Sequence, residues 1–169
     1  MKLAEAKQQF IQSWGALGSQ WGINKTMAQI HALLMISECP LSADEMMETL
    51  LISRGNVNTN TRALIDWGIV EKSFVPGERK EFFVAEKDIW KVATKIASER
   101  RKRELAPVLK VLSQVKEVDD PKASPEELKE FKNVMKDLEG FSQKVDGMFD
   151  KLTRADQHWF TGTLMKLVK

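Results

Sequence analysis

The apolar and polar positions of residues 41–84, LSADEMMETLLISRGNVNTNTRALIDWGIVEKSFVPGERKEFFV, divide into two short helical segments and a hairpin, the order of a winged helix-turn-helix. Ser42 as N-cap with Glu45 three residues on makes a capping box that opens the first helix, which runs to about Leu50. Leu51 and Ile52 form a short apolar turn. Ser53 is a second N-cap, and its helix ends near Trp67 with Gly68 in the left-handed stop position. Helices this close in sequence cross steeply, which offers the second to a DNA major groove.

At roughly 100° per residue the second helix turns Val57, Thr61, Leu64 and Ile65 to the core, and Gly55, Asn56, Thr59, Arg62 and Ala63 away from it. Asn58 lies on the flank, and Ser53 and Arg54 at the start. The outward face has no apolar stripe. A plain solvated face would more cheaply use Glu, Lys and Gln, because Asn and Thr are poor helix formers. Asn reads adenine through paired donor and acceptor, Arg reads guanine or clamps a phosphate, and Gly55 lets backbone approach backbone. Ser53, Arg54, Gly55, Asn56, Asn58, Thr59 and Arg62 are thus the candidate major-groove contacts. After Gly68, two β-rich runs flank Pro76-Gly77, which suits a type II turn. Arg79 and Lys80 beside that tip are the candidate wing contacts, with Arg79 directed to the minor groove.

Outside this segment, residues 3–22 predict a helix with one apolar stripe of Phe10, Trp14, Leu17 and Trp21. Gly15, Gly18 and Gly22 weaken it as a free helix, so it depends on packing, a second subunit being one such partner. Asn24 caps a helix to about Ser37, whose Met27, Ile30, Leu33 and Leu34 form the floor of the helix-turn-helix. Asp88 caps a long helix with Ile89, Trp90, Val92, Ala93 and Ile96, which enters the basic run Arg100 to Arg103. Four successive charges fan around the helix and read as a solvated face near the DNA. Pro107 kinks or ends this helix, and VDDPKASP is a linker. Ser124-Pro125-Glu126-Glu127 starts another helix, whose Leu128, Phe131, Met135, Leu138, Val145, Phe149 and Leu152 follow a heptad seam interrupted at Ser142. Thr153 and Asp156 open a last helix with Trp159, Phe160, Leu164, Leu167 and Val168. The expected organisation is an N-terminal packing and dimerisation helix (1–23), the winged helix-turn-helix (24–85) and a helical dimerisation region (86–169). The fold class is mainly α with a small β-hairpin wing. Phe10 and Trp14 join the seven seam residues as the candidate dimer contacts.

Composition narrows the function. A net charge of +2 over 169 residues makes no general basic coat, so DNA affinity must come from local patches doubled by dimerisation. The N-terminus lacks a signal-type apolar core, and no apolar run nears the roughly eighteen residues of a membrane span, so a cytoplasmic location without membrane contact is expected. The single cysteine, Cys39, excludes an internal disulfide and a cysteine metal cluster, and has no basic sequence neighbour to activate it; it reads as a buried or bystander thiol. Two histidines, His31 and His158, with no carboxylate at ligand spacing, argue against a metal site. No phosphate-binding glycine loop, HExxH motif or nucleophile elbow is present, so neither cofactor nor enzymatic activity is expected.

The runs SWGALGSQWGINKTMAQIHALLMI, LSADEMMETLLISRGNVNTNTRALIDWGIV and PGERKEFFVAEKDIWKV, in this order and spacing, resemble the GbsR-type branch of the MarR-like transcriptional regulators. The likeness covers about residues 10 to 110. It implies a dimeric, bacterial DNA-binding regulator, read here as a sequence-specific repressor, and the symmetry of a dimer calls for a pseudo-palindromic operator. Some members of that branch control choline and glycine betaine genes, so it also brings in a small-molecule effector such as choline. Trp14, Trp21 and Trp90 are the candidate effector residues, since aromatic faces suit a quaternary ammonium. The competing reading is a winged-helix protein-interaction adaptor without DNA specificity, which would need apolar anchors on the outward face of the second helix.

Overall fold

A computed structural model describes residues 1–154. The chain forms two compact units, Met1–Val92 and Ala93–Lys169. The expected last helix with Trp159, Phe160, Leu164, Leu167 and Val168 lies outside the described residues. Among those described, no helix is long and apolar enough to cross a membrane.

The first unit is a winged helix-turn-helix with a helix added in front. Helix α1 (Leu3–Gln20) packs along α2 (Lys25–Ile36). What α1 buries is Ile11, Gly15 and Gly18, about a quarter-turn away from the aromatic stripe. A Cβ at Gly18 would stand 2.6 Å from the Ala28 Cβ, and one at Gly15 2.6 Å from the Gln29 Cγ. The glycines therefore serve close helix approach within one chain rather than against a second subunit. The stripe is left facing outward. Phe10 and Trp14 are half-buried with their rings tilted 5.5 Å apart, while Leu17 and Trp21 are exposed.

Helix α2 is the centre of the core: Ile30 and Ala32 are fully buried and Leu34 nearly so. The Asn24 side chain caps it by accepting from the Met27 amide at 3.2 Å. Its other end is closed by a residue to which the sequence does not point. The Lys87 ammonium donates to the carbonyls of Leu34, Met35 and Ser37 at 2.8, 2.6 and 2.8 Å, placing a cation on the negative end of the helix dipole. His31 is also buried in α2, and burial pushes its imidazole down to about 4. Its Nε2 has no hydrogen-bond partner among the described residues. Cys39, expected to be buried or a bystander, is exposed.

A strand that the sequence pattern does not predict, β1 (Leu41–Ser42), leads directly into α3 (Ala43–Leu50). The capping box is as expected: the Ser42 amide donates to the Glu45 carboxylate at 2.7 Å and the Glu45 amide to the Ser42 hydroxyl at 3.4 Å. The Ser42 hydroxyl and amide hold the Glu45 carboxyl below its usual range. Leu51 closes α3 in the left-handed region, at φ 54° and ψ 46°. Ser53 then caps α4 (Arg54–Asp66), with Gly68 at φ 71° just beyond its end. Strands β2 (Val70–Ser73) and β3 (Phe82–Ala85) form the wing, and β3 is central in an antiparallel sheet ordered β1-β3-β2. Leu41 pairs with Phe83 and Ser42 with Phe82, so one residue is both sheet edge and helix cap.

Helix α5 (Ile89–Arg100) is capped by the Asp88 carboxylate, which accepts from the Trp90 and Lys91 amides at 3.0 and 3.2 Å. In the second unit a π-helical turn, Arg101–Leu105, joins it to α6 (Ala106–Val115). Pro107 does not end the helical run: it falls in the first turn of α6, just after the π turn. Helix α6 packs on α7 (Pro125–Arg154), with Leu112 and Ser142 buried. Ser124 caps α7 by accepting from the Glu127 amide at 3.1 Å. The helix passes through Thr153 without the expected break.

The basic run also differs from expectation. Arg101 makes a two-pronged contact with Asp146, at 2.6 and 2.7 Å, and reaches Asp150 at 3.1 Å. Its guanidinium draws the Asp146 carboxyl below the usual carboxylate range. Arg100 pairs with Glu104, and Lys102, itself exposed, stands 3.8 Å from Glu99. Lys116 adds a second tie to α7, at 2.9 Å from Glu139.

Candidate nucleic-acid interface

Four residues of α4, Val57, Asn60, Thr61 and Leu64, anchor it in the core. Asn60 takes the place expected for Ile65, which is only half-buried. Its buried amide is satisfied locally by donating to the Asn56 carbonyl at 2.8 Å, so a polar residue sits on the inner face without an orphaned donor. Ala63, expected on the outer face, is half-buried as well.

With that face fixed, Arg54, Gly55, Asn56, Asn58, Thr59 and Arg62 are all exposed. The side chains of Asn56, Asn58, Thr59 and Arg62 make no hydrogen bond or ion pair among the described residues. Ser53 is spent on capping, its hydroxyl accepting from the Asn56 amide at 3.3 Å. It orients the first turn of α4.

The wing tip is the expected turn. Gly77 has φ 88° and the Glu78 amide donates to the Val75 carbonyl at 3.2 Å. Arg79 and Lys80 follow it, both exposed. Lys72 and Glu81 pair across the strands below the tip.

A carboxylate that the sequence pattern does not single out lies between these elements. Asp44, in the first turn of α3, pairs with Arg54 at the start of α4 and stands 3.5 Å from the Lys80 ammonium. Two of the candidate cations thus share one anion, while Arg62 and Arg79 have none among the described residues. Asp44 is hidden in the sequence because its partners lie 10 and 36 residues away.

Of the dimer candidates on α7, Phe131 and Leu138 are exposed, and Leu128, Met135, Val145 and Phe149 are half-buried. The side chain of Leu152 lies outside the described ones. Val134, Phe141 and Met148, also exposed, widen the apolar side beyond the expected seam.

No family model matches the chain. The HTH-type transcriptional repressor GbsR of Bacillus subtilis (strain 168) is 25% identical over 167 residues, 98% of this chain and 92% of that protein. The resemblance to GbsR-type regulators is borne out. It extends past residue 110, the expected end of the likeness, to nearly the whole chain. A solved structure described as that of a transcriptional regulator superposes with a TM-score of 0.54 at 18% identity, covering 86% of this chain and 99% of that one, which supports the fold. The expected fold class, mainly α with a small β wing, is the one described above.

Proposed function

We propose that the chain is a homodimeric, sequence-specific DNA-binding transcriptional repressor. The observation that carries this is the outer face of α4, where Asn56, Asn58, Thr59 and Arg62 project from a helix anchored in the core, with their side-chain hydrogen-bonding groups unspent among the described residues. Asn56 and Asn58 in the early turns reach base edges, Arg54 and Arg62 flank them, and Arg79 follows the minor groove from the wing. A protein-docking face would carry apolar anchors, and this one has none.

The partner is a pseudo-palindromic duplex, and the second protomer meets the first through α7 and the outward stripe of α1. Choline or a related quaternary ammonium as effector rests on the likeness to GbsR and on the ring faces of Trp14, Trp21 and Trp90. Calorimetry with choline and glycine betaine decides it, and silence with both removes that effector.

Genomic-fragment selection with the purified chain tests DNA reading, followed by salt titration on the selected site. Asn56→Ala should cost about 1–3 kcal/mol per half-site on the operator and little on random DNA. Arg79→Ala should weaken binding to both and flatten the salt slope by about one unit for each phosphate it no longer neutralises. Unchanged discrimination in Asn56→Ala would overturn the assignment of α4.

A further inference from the structure

A cavity of about 500 Å³ opens within the first unit where α1, the end of α2 and the end of α3 meet. Its volume lies in the usual range for small ligands, ~300–1,000 Å³. Ile11, Leu33, Leu50 and Leu51 give it an aliphatic wall, and Lys7 is its single charged group. Neither a carboxylate nor an aromatic ring lines it, and none of Trp14, Trp21 and Trp90 takes part.

The polar groups on its wall are unequally engaged. The Ser37 and Thr49 hydroxyls donate to carbonyls of their own helices, those of Leu33 and Glu45. Half-buried Lys7 has no ion pair or hydrogen bond among the described residues, which leaves a cation on an aliphatic wall. A quaternary ammonium would meet no anion and no ring face here. A carboxylate on an aliphatic chain would complement both the charge and the wall.

Leu51 links this cavity to α4. It is 90% exposed, it holds the left-handed backbone that side chains disfavour, and it stands two residues before the Ser53 cap. A ligand against Leu51 would cover that side chain and bear on the turn from which α4 departs.

We propose that this cavity binds an aliphatic carboxylate, held by Lys7 and flanked by Leu51, and that its occupancy weakens operator binding. The site itself stands on the geometry, and the coupling rests on the DNA-binding function proposed above.

Calorimetry of the full chain with octanoate, 1-octanol and choline tests the site without DNA. Octanoate should bind saturably, octanol about tenfold more weakly, and excess choline should not displace octanoate. Lys7→Gln should lower octanoate affinity about tenfold and leave octanol unchanged, with an unaltered melting temperature. Leu51→Gly, which suits the backbone conformation, should weaken both. Equal binding of octanoate and octanol, an inert Lys7→Gln, or no octanoate heat overturns the site. The last result, joined to a smaller sedimenting species for Leu51→Gly, would assign the cavity to a second copy instead. Octanoate should also loosen the selected operator, and not in Lys7→Gln. Binding of octanoate with undisturbed operator affinity overturns the coupling, whereas a chain that binds octanoate but no DNA overturns the proposed function and leaves the site standing.

Discussion

His31 carries a cost that depends on pH. Its folded pKa, about 4, lies below the ordinary 6.5 because burial disfavours the charged ring. Below pH 6.5 the unfolded chain therefore takes up a proton that the folded chain refuses, and stability falls until the pH reaches about 4. The full loss is on the order of 3 kcal/mol. Urea midpoints measured at intervals from pH 7 to 4 should fall more steeply for the native chain than for His31→Leu, and parallel curves would show that His31 is not responsible. Asp44 is the other residue with a testable role. In the DNA complex proposed here Arg54 and Lys80 would leave or share its carboxylate to meet phosphates, so Asp44→Asn should raise DNA affinity about three- to tenfold at low salt and steepen the salt slope. Anisotropy titrations at several salt concentrations measure this, and placing Asp44→Asn on an Arg54→Gln background should remove much of the gain.

Among the elements, the crossing of α1 and α2 is the most sensitive to one atom. A Gly18→Ala methyl would meet the Ala28 Cβ, a position fixed to the α2 backbone, at 2.6 Å. The helices must separate, at about 1–3 kcal/mol. Thermal melts should show that loss despite the gain in helix propensity, and a melt at or above that of the native chain would mean the helices part without cost. This crossing also marks how far a sequence pattern reaches. The starts of α2, α3, α4 and α7 are legible from Asn24, Ser42, Ser53 and Ser124, because a cap is written within four residues. The contact face of α1 is not, since apolar spacing marks large side chains and this contact is made by residues that lack one. Strand β1 is too short for alternation to reveal. The ties from Arg101 to Asp146 and from Lys87 to α2 bridge 45 and about 50 residues, and isolated charges carry no sign of partners so distant. In the candidate interface, the outward residues of α4 follow from periodicity, whereas Asn60 is buried against its polarity and Asp44 gains its meaning only when α3, α4 and the wing come together.

At the scale of the whole molecule, the exposed apolar side of α7 needs a cover in the dimer proposed here. Leu138 is 46% exposed, so Leu138→Glu should leave the fold intact while breaking the pair, and sedimentation should show monomers that bind the operator weakly. A native chain that sediments as a monomer at micromolar concentration would remove the dimer. In an intact dimer the two recognition helices would require half-site centres about one helical turn, ~34 Å, apart. The wing, finally, is geared to the helix-turn-helix. Ser42 is at once the sheet partner of Phe82 in β3 and the cap on which α3 begins, and Asp44 lies two residues further on. A pull on the wing would pass along β3 to Ser42 and, through the cap hydrogen bonds, into α3. If the wing takes the minor groove and α4 the major groove, as proposed here, the two act as a single caliper, and DNA too wide for one jaw strains the other.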